Sequence, residues 1–405
     1  MRCYKVLLMI GSSRASERNL LKGIAAYSQL HGPWVFYREP PQYRKPSIQN
    51  QPERTPRLPA LLDGSVDGIV AFAPNAADIE AMIPTRFPSV ILPVDEKIQG
   101  RCSIVEEPGV VGKMAAEHFL QRGFKQFAFC GFDQMYWSRI RQEGFVGYLK
   151  EAGFSADVYD FPIQASRLPW EVDHGKMTDW LQSLPKPVGL MACNDDMAQQ
   201  IIEANKLVDA HIPDEIAILG VDNDEMICEL NHPPLSSIEM NFEKVGFELA
   251  FQLDRQMRGE AVSQQEIYSR PTFIHARQST DILAVEDPIV AEAIRFIRDR
   301  VSTVVSVQDV VAGISTSRRL LERRFRQAIG VSIYQEIQRV HIERARRMLA
   351  ETNWHLSDIA CRCGFSNQVH FGVAFKRQTA LTPEKYRRRA QKMTLPRVSK
   401  HLGGP

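Results

Sequence analysis

The stretch VGLMACNDDMAQQIIEAN, residues 188–205, runs through apolar and small residues into Asn194, Asp195 and Asp196, and then into a helical pattern. A short run without polar alternation, stopped by polar side chains and followed by an amphipathic helix, is one strand–helix unit of a parallel sheet covered on both faces. The same unit recurs along the chain. VLLMIG (6–11) precedes ERNLLKGIAAYSQLHG (17–32), VDGIVAFAP (66–74) precedes a helical stretch at ADIEAMI, and SVILPVD (89–95) follows. VVGKMAAEHFLQRG (110–123) leads to QFAFCG (126–131) and RQEGFVGYLKEAG (141–153), and IAILGVDND closes the series at 216–224. The pattern predicts an α/β fold over roughly the first 280 residues. The proline-rich polar segment QNQPERTPRLP (49–59) predicts a surface loop.

Composition sets the outer bounds. At 405 residues, 44% hydrophobic and 24% charged, the chain is an ordinary globular sequence long enough for two or three cores. Its apolar runs fall well short of the roughly 20 residues of a membrane helix. MRCYKVLLMIGSSR reads as a first buried strand and not as a secretion signal. Seven scattered cysteines then imply free thiols in a cytoplasmic protein. The net charge of +2 hides an asymmetry: residues 288–405 hold 22 Lys/Arg against 9 Asp/Glu, a net +13, and the rest carries −11. A basic C-terminal third on an acidic body fits a polyanion-binding module joined to another function.

The first 280 residues carry no catalytic motif. GVVGKM (109–114) lacks P-loop spacing, IGSSR (10–14) lacks the glycines of a dinucleotide fingerprint, and neither a Gly-x-Ser-x-Gly elbow nor His-Glu-x-x-His occurs. No cofactor, metal site or enzyme activity is therefore expected. What recurs is a polar residue just past a strand's carboxyl end: Ser12, Ser13 and Arg14; Asn194 and Asp195; Asp222, Asn223 and Asp224. Open α/β sheets bind ligands at that edge. Carboxylates, an amide, an arginine and a nearby aromatic suit a sugar, with hydrogen bonds to hydroxyls and a ring to stack on. For any single residue, strand-end capping is the alternative.

The order GSSR, VDGIVAF, SVILPVD, VVGKMAAEHFLQRGFKQFAFCG, RQEGF, LMACNDDMA, IPDEIAILGVDND, LSSIEMN, RQST resembles the effector domain of lac-repressor-like regulators, over residues 4–281. The resemblance implies a two-lobed fold like that of periplasmic sugar-binding proteins, with a sugar clamped between the lobes. Carried onto this sequence, it assigns the effector to Ser12, Arg14, Glu107, Arg141, Trp170, Asn194 and Asp222, with Trp170 as the stacking aromatic. Those regulators begin with a helix-turn-helix headpiece, whereas this chain opens on the first strand. DNA binding is therefore either lost or placed elsewhere in the chain.

From Asp287 onward arginine-rich helical patterns take over. Two segments echo each other at a spacing of fifty: SVQDVVAGISTSRRLLERRFRQAIG (306–330) and LSDIACRCGFSNQVHFGVAFKRQTA (356–380). Each reads as helix, tight turn, helix. In the first, Ser306 and Asp309 begin a capping box, Gly313–Ile314 turns the chain, and Thr316 or Ser317 caps the next helix. In the second, Gly364 ends a helix and Ser366 caps the next, whose buried stripe is Phe371 and Phe375. Cys361 and Cys363 lie about 200° apart around a helix, so they cannot share one metal ion.

These two units, the connecting helix SIYQEIQRVHIERARRMLAET (332–352) and the ending FKRQTALTPEKYRR resemble the DNA-binding domain of the AraC/XylS family. The resemblance implies two helix-turn-helix units (about 306–328 and 356–378) in an all-α domain over 291–390. That domain follows an effector domain over 1–281 and a linker over 282–290, and a tail covers 391–405. It implies base reading by Arg319, Glu322 and Arg323, and by Asn367, Gln368 and His370, with phosphate contacts from Arg318, Arg326, Lys376 and Arg377. Val373 stands where the family often carries arginine, which implies weak base reading by the second unit. The expected protein is a transcription regulator, an activator of sugar catabolic genes that responds to a pentose such as D-xylose. It would act as a homodimer on a double-stranded DNA operator, with RNA polymerase as partner. A different sugar, repression instead of activation, and a transport or chemosensory receptor are the alternatives.

Overall fold

The structure is a computed structural model. It describes residues 3–38, 65–73, 83–84, 87–93, 101–161, 170–260, 266–282, 285, 287–352, 354–379 and 381–394, without the side chains of 170–174, 347, 350, 351 and 389–394. The proline-rich segment 49–59, nearly all of the ADIEAMI helix, three linker residues and the tail beyond 394 lie outside the described residues. The chain divides into two units, Met1–Ile282 and Leu283–Pro405.

The first unit contains two six-stranded sheets. One is built from β1 (Tyr4–Met9), β2 (Trp34–Arg38), β3 (Gly68–Ala73), β4 (Ser89–Pro93), β5 (Cys102–Glu106) and β11 (Glu266–Ser269), in the order β11-β5-β4-β3-β1-β2 and parallel throughout. The other is built from β6 (Gln126–Gly131), β7 (Ala156–Asp160), β8 (Val188–Ala192), β9 (Ile216–Val221), β10 (Ser236–Met240) and β12 (Pro271–His275). Its order is β12-β10-β9-β8-β6-β7, parallel except for the antiparallel pair β10–β12. The predicted α/β reading holds, and β8 and β9, buried at every position, are the strands without alternation from which it was drawn.

The chain crosses between these lobes three times: after β5, after β10 and after β11. Helices α1 (Ala15–His31) and α7 (Phe242–Met257) pack on the first sheet, where Leu20, Ile24, Leu249 and Leu253 join Val6 and Leu8 in one core. In the second lobe, α2 (Val110–Leu120) and α3 (Tyr136–Glu151) meet through glycines. A Cβ on Gly112 would stand 2.1 Å from the Phe145 nitrogen, and one on Gly144 2.6 Å from Gly109 Cα. That close approach fixes the depth at which α3 sits. Helices α4 (Trp170–Ser183), α5 (Asp195–Val208) and α6 (Glu225–Leu230) complete the lobe.

The second unit is helical: α8 (Pro288–Asp299), α9 (Val307–Gly313), α10 (Arg318–Ile329), α11 (Ile333–Glu351), α12 (Leu356–Arg362), α13 (Gln368–Thr379) and α14 (Pro383–Thr394). Pairs α9–α10 and α12–α13 are the two helix-turn-helix units. Val310, Leu321 and Phe325 pack with α8 in one core, and Ile359, Phe365, Phe371 and Phe375 form another. The connecting helix α11 serves both, through Ile333 and Ile337 to the first and Ile342, Ala345 and Leu349 to the second. Capping boxes at Ser306–Asp309 and Ser332–Gln335 start α9 and α11. Gly364 takes the left-handed conformation after α12 at φ 72°, whereas in the first turn that place belongs to Ser315 at φ 51°. Cys363 is buried beside the Met348 sulfur and Cys361 faces solvent, on opposite sides of the chain.

Candidate functional site

The cleft of the first unit is organised by Arg141, projecting from α3 and 3% exposed. Its Nε donates to Glu106 Oε2 at 2.9 Å and Oε1 at 3.2 Å, and its Nη2 lies 2.8 Å from Glu106 Oε2 and 3.2 Å from Asp222 Oδ1. Its Nη1 donates to the Cys193 carbonyl at 2.5 Å, and its guanidinium carbon lies 5.2 Å from the centre of the Trp137 ring. The ends of β5, β8 and β9 thus converge on one side chain, as the carboxyl-edge rule requires. Burial pushes the Glu106 and Asp222 carboxyls up, and Arg141 offsets only part of it, so both stay above the usual carboxylate range. Burial disfavours charge on Arg141 as well, but the two carboxylates more than offset it and hold the guanidinium above its usual range. Two carboxylates share one cation, so the floor keeps spare acceptor capacity for hydroxyl groups.

Asp222 and Asn223, with φ 100° and 48°, hold positive φ without being glycine. Such strain persists only where the surroundings impose it. Asp195 is part of what imposes it. Buried under this loop, it accepts hydrogen bonds from Ser237 Oγ at 2.6 Å and the Asp224 nitrogen at 2.7 Å. Burial drives its carboxyl up to about 8. Asn194 caps α5, taking the Met197 nitrogen at 2.9 Å on Oδ1, which leaves its side-chain NH2 for the cleft that it lines. The cleft has a cavity volume of about 140 Å³, with Phe72, Tyr136, Trp137 and Phe242 as aromatic walls. Aromatic walls around a few convergent polar groups are the composition of a small-ligand site.

The structure brings Arg14, Arg141, Asn194 and Asp222 into this cleft. Ser12 is exposed at the first turn, its carbonyl 3.4 Å from Arg18 Nη1, and is not among the cleft-lining residues. Glu107 lies one residue beyond β5 and pairs with Arg270, while its nitrogen donates to the Ser269 carbonyl at 3.0 Å. Arg270 is also bonded both ways to Asn241, so Glu107 ties the three lobe crossings together and leaves the cleft to its neighbour Glu106. Trp170 opens α4, and its side chain lies outside the described residues. Glu106 and Trp137 escaped the sequence reading. Adjacent residues at a strand end face opposite ways, which decides between Glu106 and Glu107, and the i, i+4 spacing of Trp137 and Arg141 was the available signal for the aromatic.

Among the described residues, two ion pairs span the cleft, one from Arg14 just before α1 (Nε to Asp196 Oδ2, 2.7 Å) and one from Arg18 on α1 (Nη2 to Asp224 Oδ2, 2.8 Å).

In the second unit, Ser317 caps α10 by accepting from the Leu320 nitrogen at 3.3 Å. Leu321 and Phe325 turn inward, so Arg319, Arg323 and Arg326 face solvent, with no side-chain partner among the described residues. Arg318 reaches Glu322 at 2.9 Å, one helical turn away, which occupies the Glu322 carboxylate. On α13, Phe371 and Phe375 are buried while Gln368, Lys376 and Arg377 are exposed. The cap here is Asn367, whose Oδ1 accepts from the His370 nitrogen at 2.8 Å, and not Ser366. His370 leans edge-on against Phe365, 5.7 Å between ring centres. Unpaired cations along a helix that presents its apolar face to the core form a surface for a polyanion.

An α/β domain with a polar interlobe cleft and a double helix-turn-helix domain together define a ligand-responsive transcription regulator. Residues 116–280 match the periplasmic binding protein-like domain family and residues 310–389 match a helix-turn-helix domain family. Both families are thus matched within one chain. It is similar to the xylose operon regulatory proteins of Haemophilus influenzae (28% identity over 95% of this chain and 98% of that one) and of Escherichia coli K12 (25% over 95% and 97%). The solved structure of a xylose-binding transcription activator has the same fold across 96% of this chain and 98% of its own, at a TM-score of 0.76 and 23% identity. These relatives are regulators and not enzymes.

Proposed function

We propose that this protein is a pentose-controlled transcriptional activator whose effector is D-xylose. The observation that carries the reading is the Arg141–Glu106–Asp222 cluster with Trp137 beside it: buried, acceptor-rich and walled by an aromatic ring. Carboxylates accept from adjacent sugar hydroxyls, Arg141 and the Asn194 amide donate to ring and hydroxyl oxygens, and an aromatic face covers the C–H face of the ring. Arg14, Asn194, Arg141 and Asp222 are the effector contacts in this reading. Two similar proteins matching nearly the whole chain are named for a xylose operon, which selects the pentose. The α10 and α13 helices enter successive major grooves, with Arg319 and Arg323 reading bases and Arg318, Arg326, Lys376 and Arg377 on phosphates. A homodimer sets four such units on repeated half-sites and engages RNA polymerase.

The test is thermal unfolding of the full chain with D-xylose, L-arabinose, D-ribose and D-glucose. A ligand at 100 times its Kd adds about 2.7 kcal/mol of stability. D-xylose is expected to give the largest shift at the lowest concentration. A larger shift with another sugar would reassign the effector, and no shift with any of them would overturn the cleft as a sugar site.

A further inference from the structure

The spacing of fifty between the helix-turn-helix units makes the two recognition helices directly comparable. Leu321 and Phe371 are both fully buried, as are Phe325 and Phe375, and the caps Ser317 and Asn367 fall at the same offset. Matching buried residues force the outward faces to match as well. At that register Arg326 corresponds to Lys376, a cation in both. Two exposed positions between cap and cation change from cationic to apolar: Arg319 and Arg323 on α10 stand where α13 has Val369 and Val373.

Both valines are outward, Val369 at 76% and Val373 at 64% exposure, one helical turn apart. Valine is a poor helix former, and neither valine belongs to the core of its own unit. Gln368, Lys376 and Arg377 flank them on the exposed side. An apolar strip set between an amide and two cations is complementary to the thymine edge of the major groove. There a 5-methyl group projects beside the O4 acceptor, with phosphates close by.

We propose that Val369 and Val373 read thymine methyl groups, so that the operator half under α13 is specified by thymine while the half under α10 is specified by guanine. This rests on the reading of the second unit as the DNA-binding domain. The second unit then reads sequence by shape and apolar contact, in place of the weak reading expected from the lost arginine.

The test uses the full chain with D-xylose. A random duplex library is taken through rounds of selection, and the preferred duplex is remade with deoxyuridine replacing thymine one position at a time. Uracil removes only the methyl group. At one or two positions on the α13 side, the replacement is expected to weaken binding about fourfold, which corresponds to about 0.8 kcal/mol for one buried methyl. Val369→Ala or Val373→Ala should lose a similar factor on the thymine duplex and nothing further on the uracil duplex. Selection of a defined sequence that is indifferent to uracil throughout would overturn the inference and leave DNA reading intact. Equal losses for the valine variants on both duplexes would also overturn it, and would assign the strip to some other contact. Failure to enrich any sequence would overturn the DNA-binding reading itself, and this inference with it.

Discussion

The effector cleft and the recognition helices both depend on arginine, and they use it in opposite ways. Arg141 is buried and bonded on every side, and its partners come from positions 106, 193 and 222. Arg323 is exposed and unpaired among the described residues, and its significance lies within a dozen residues of chain. A cation held in a low dielectric by fixed carboxylates is part of the fold before any ligand arrives, and salt barely touches it. A cation in water contributes nothing to the fold. It acts through released counterions and base edges when DNA arrives.

The comparison breaks most visibly at Arg141. Arg141→Ala leaves Glu106 and Asp222 buried without their cation, and removal of one partner of a buried pair costs about 3–5 kcal/mol. Urea unfolding should show that loss in the ligand-free protein, with the sugar-induced shift gone as well. Wild-type stability in this variant would mean that Arg141 is a ligand contact only, as the sequence by itself suggested.

The next effect is one of pH. With its carboxyl raised to about 8, Asp195 binds its proton more tightly in the folded than in the unfolded chain. Its contribution to stability is complete below about pH 4 and drains away as pH rises to about 8. Asp195→Asn mimics the protonated form and should remove that loss. Its stability advantage over wild type is expected to widen steadily between those limits. A constant difference across the range would show that Asp195 stays ionised under its loop.

The exposed arginines should behave otherwise. Arg323→Ala is expected to leave the unfolding curve unchanged and to weaken binding to the selected duplex by about 1–3 kcal/mol, with much less effect on scrambled DNA. Equal losses on both duplexes would demote it to a phosphate contact. The smallest effect belongs to Lys376→Ala, which should lower affinity for all sequences alike and reduce the salt slope by about one unit. Isotherms at several salt concentrations on both duplexes measure both variants.

The same contrast explains what could be read from the sequence. Strand–helix alternation, the fifty-residue echo and the stripe Phe371–Phe375 are local patterns, and the folded chain reproduces them. Asn194 and Asp222 were legible because they directly follow buried strands. Glu106 was not, because a one-residue slip at a strand end reverses the face and nothing local marks it. The role of Asn367 as a cap was hidden for a similar reason, since Ser366 and Asn367 are both capable and only the geometry of the turn chooses. In the sequence Asp195 is one of several polar residues just past a strand end. Its burial against Ser237 places it underneath, a fact of packing over 42 residues of separation.

The links Arg14–Asp196 and Arg18–Asp224 tie the lobes together directly, side chain to side chain. Any link made only with the lobes together favours that arrangement with or without ligand, so it lowers the closing work asked of the ligand and raises the background response. Loosening either link makes the switch quieter and less sensitive; tightening it does the reverse. The ligand concentration at which the cleft responds is thus adjustable at Arg18–Asp224, a pair that stands outside the cleft lining.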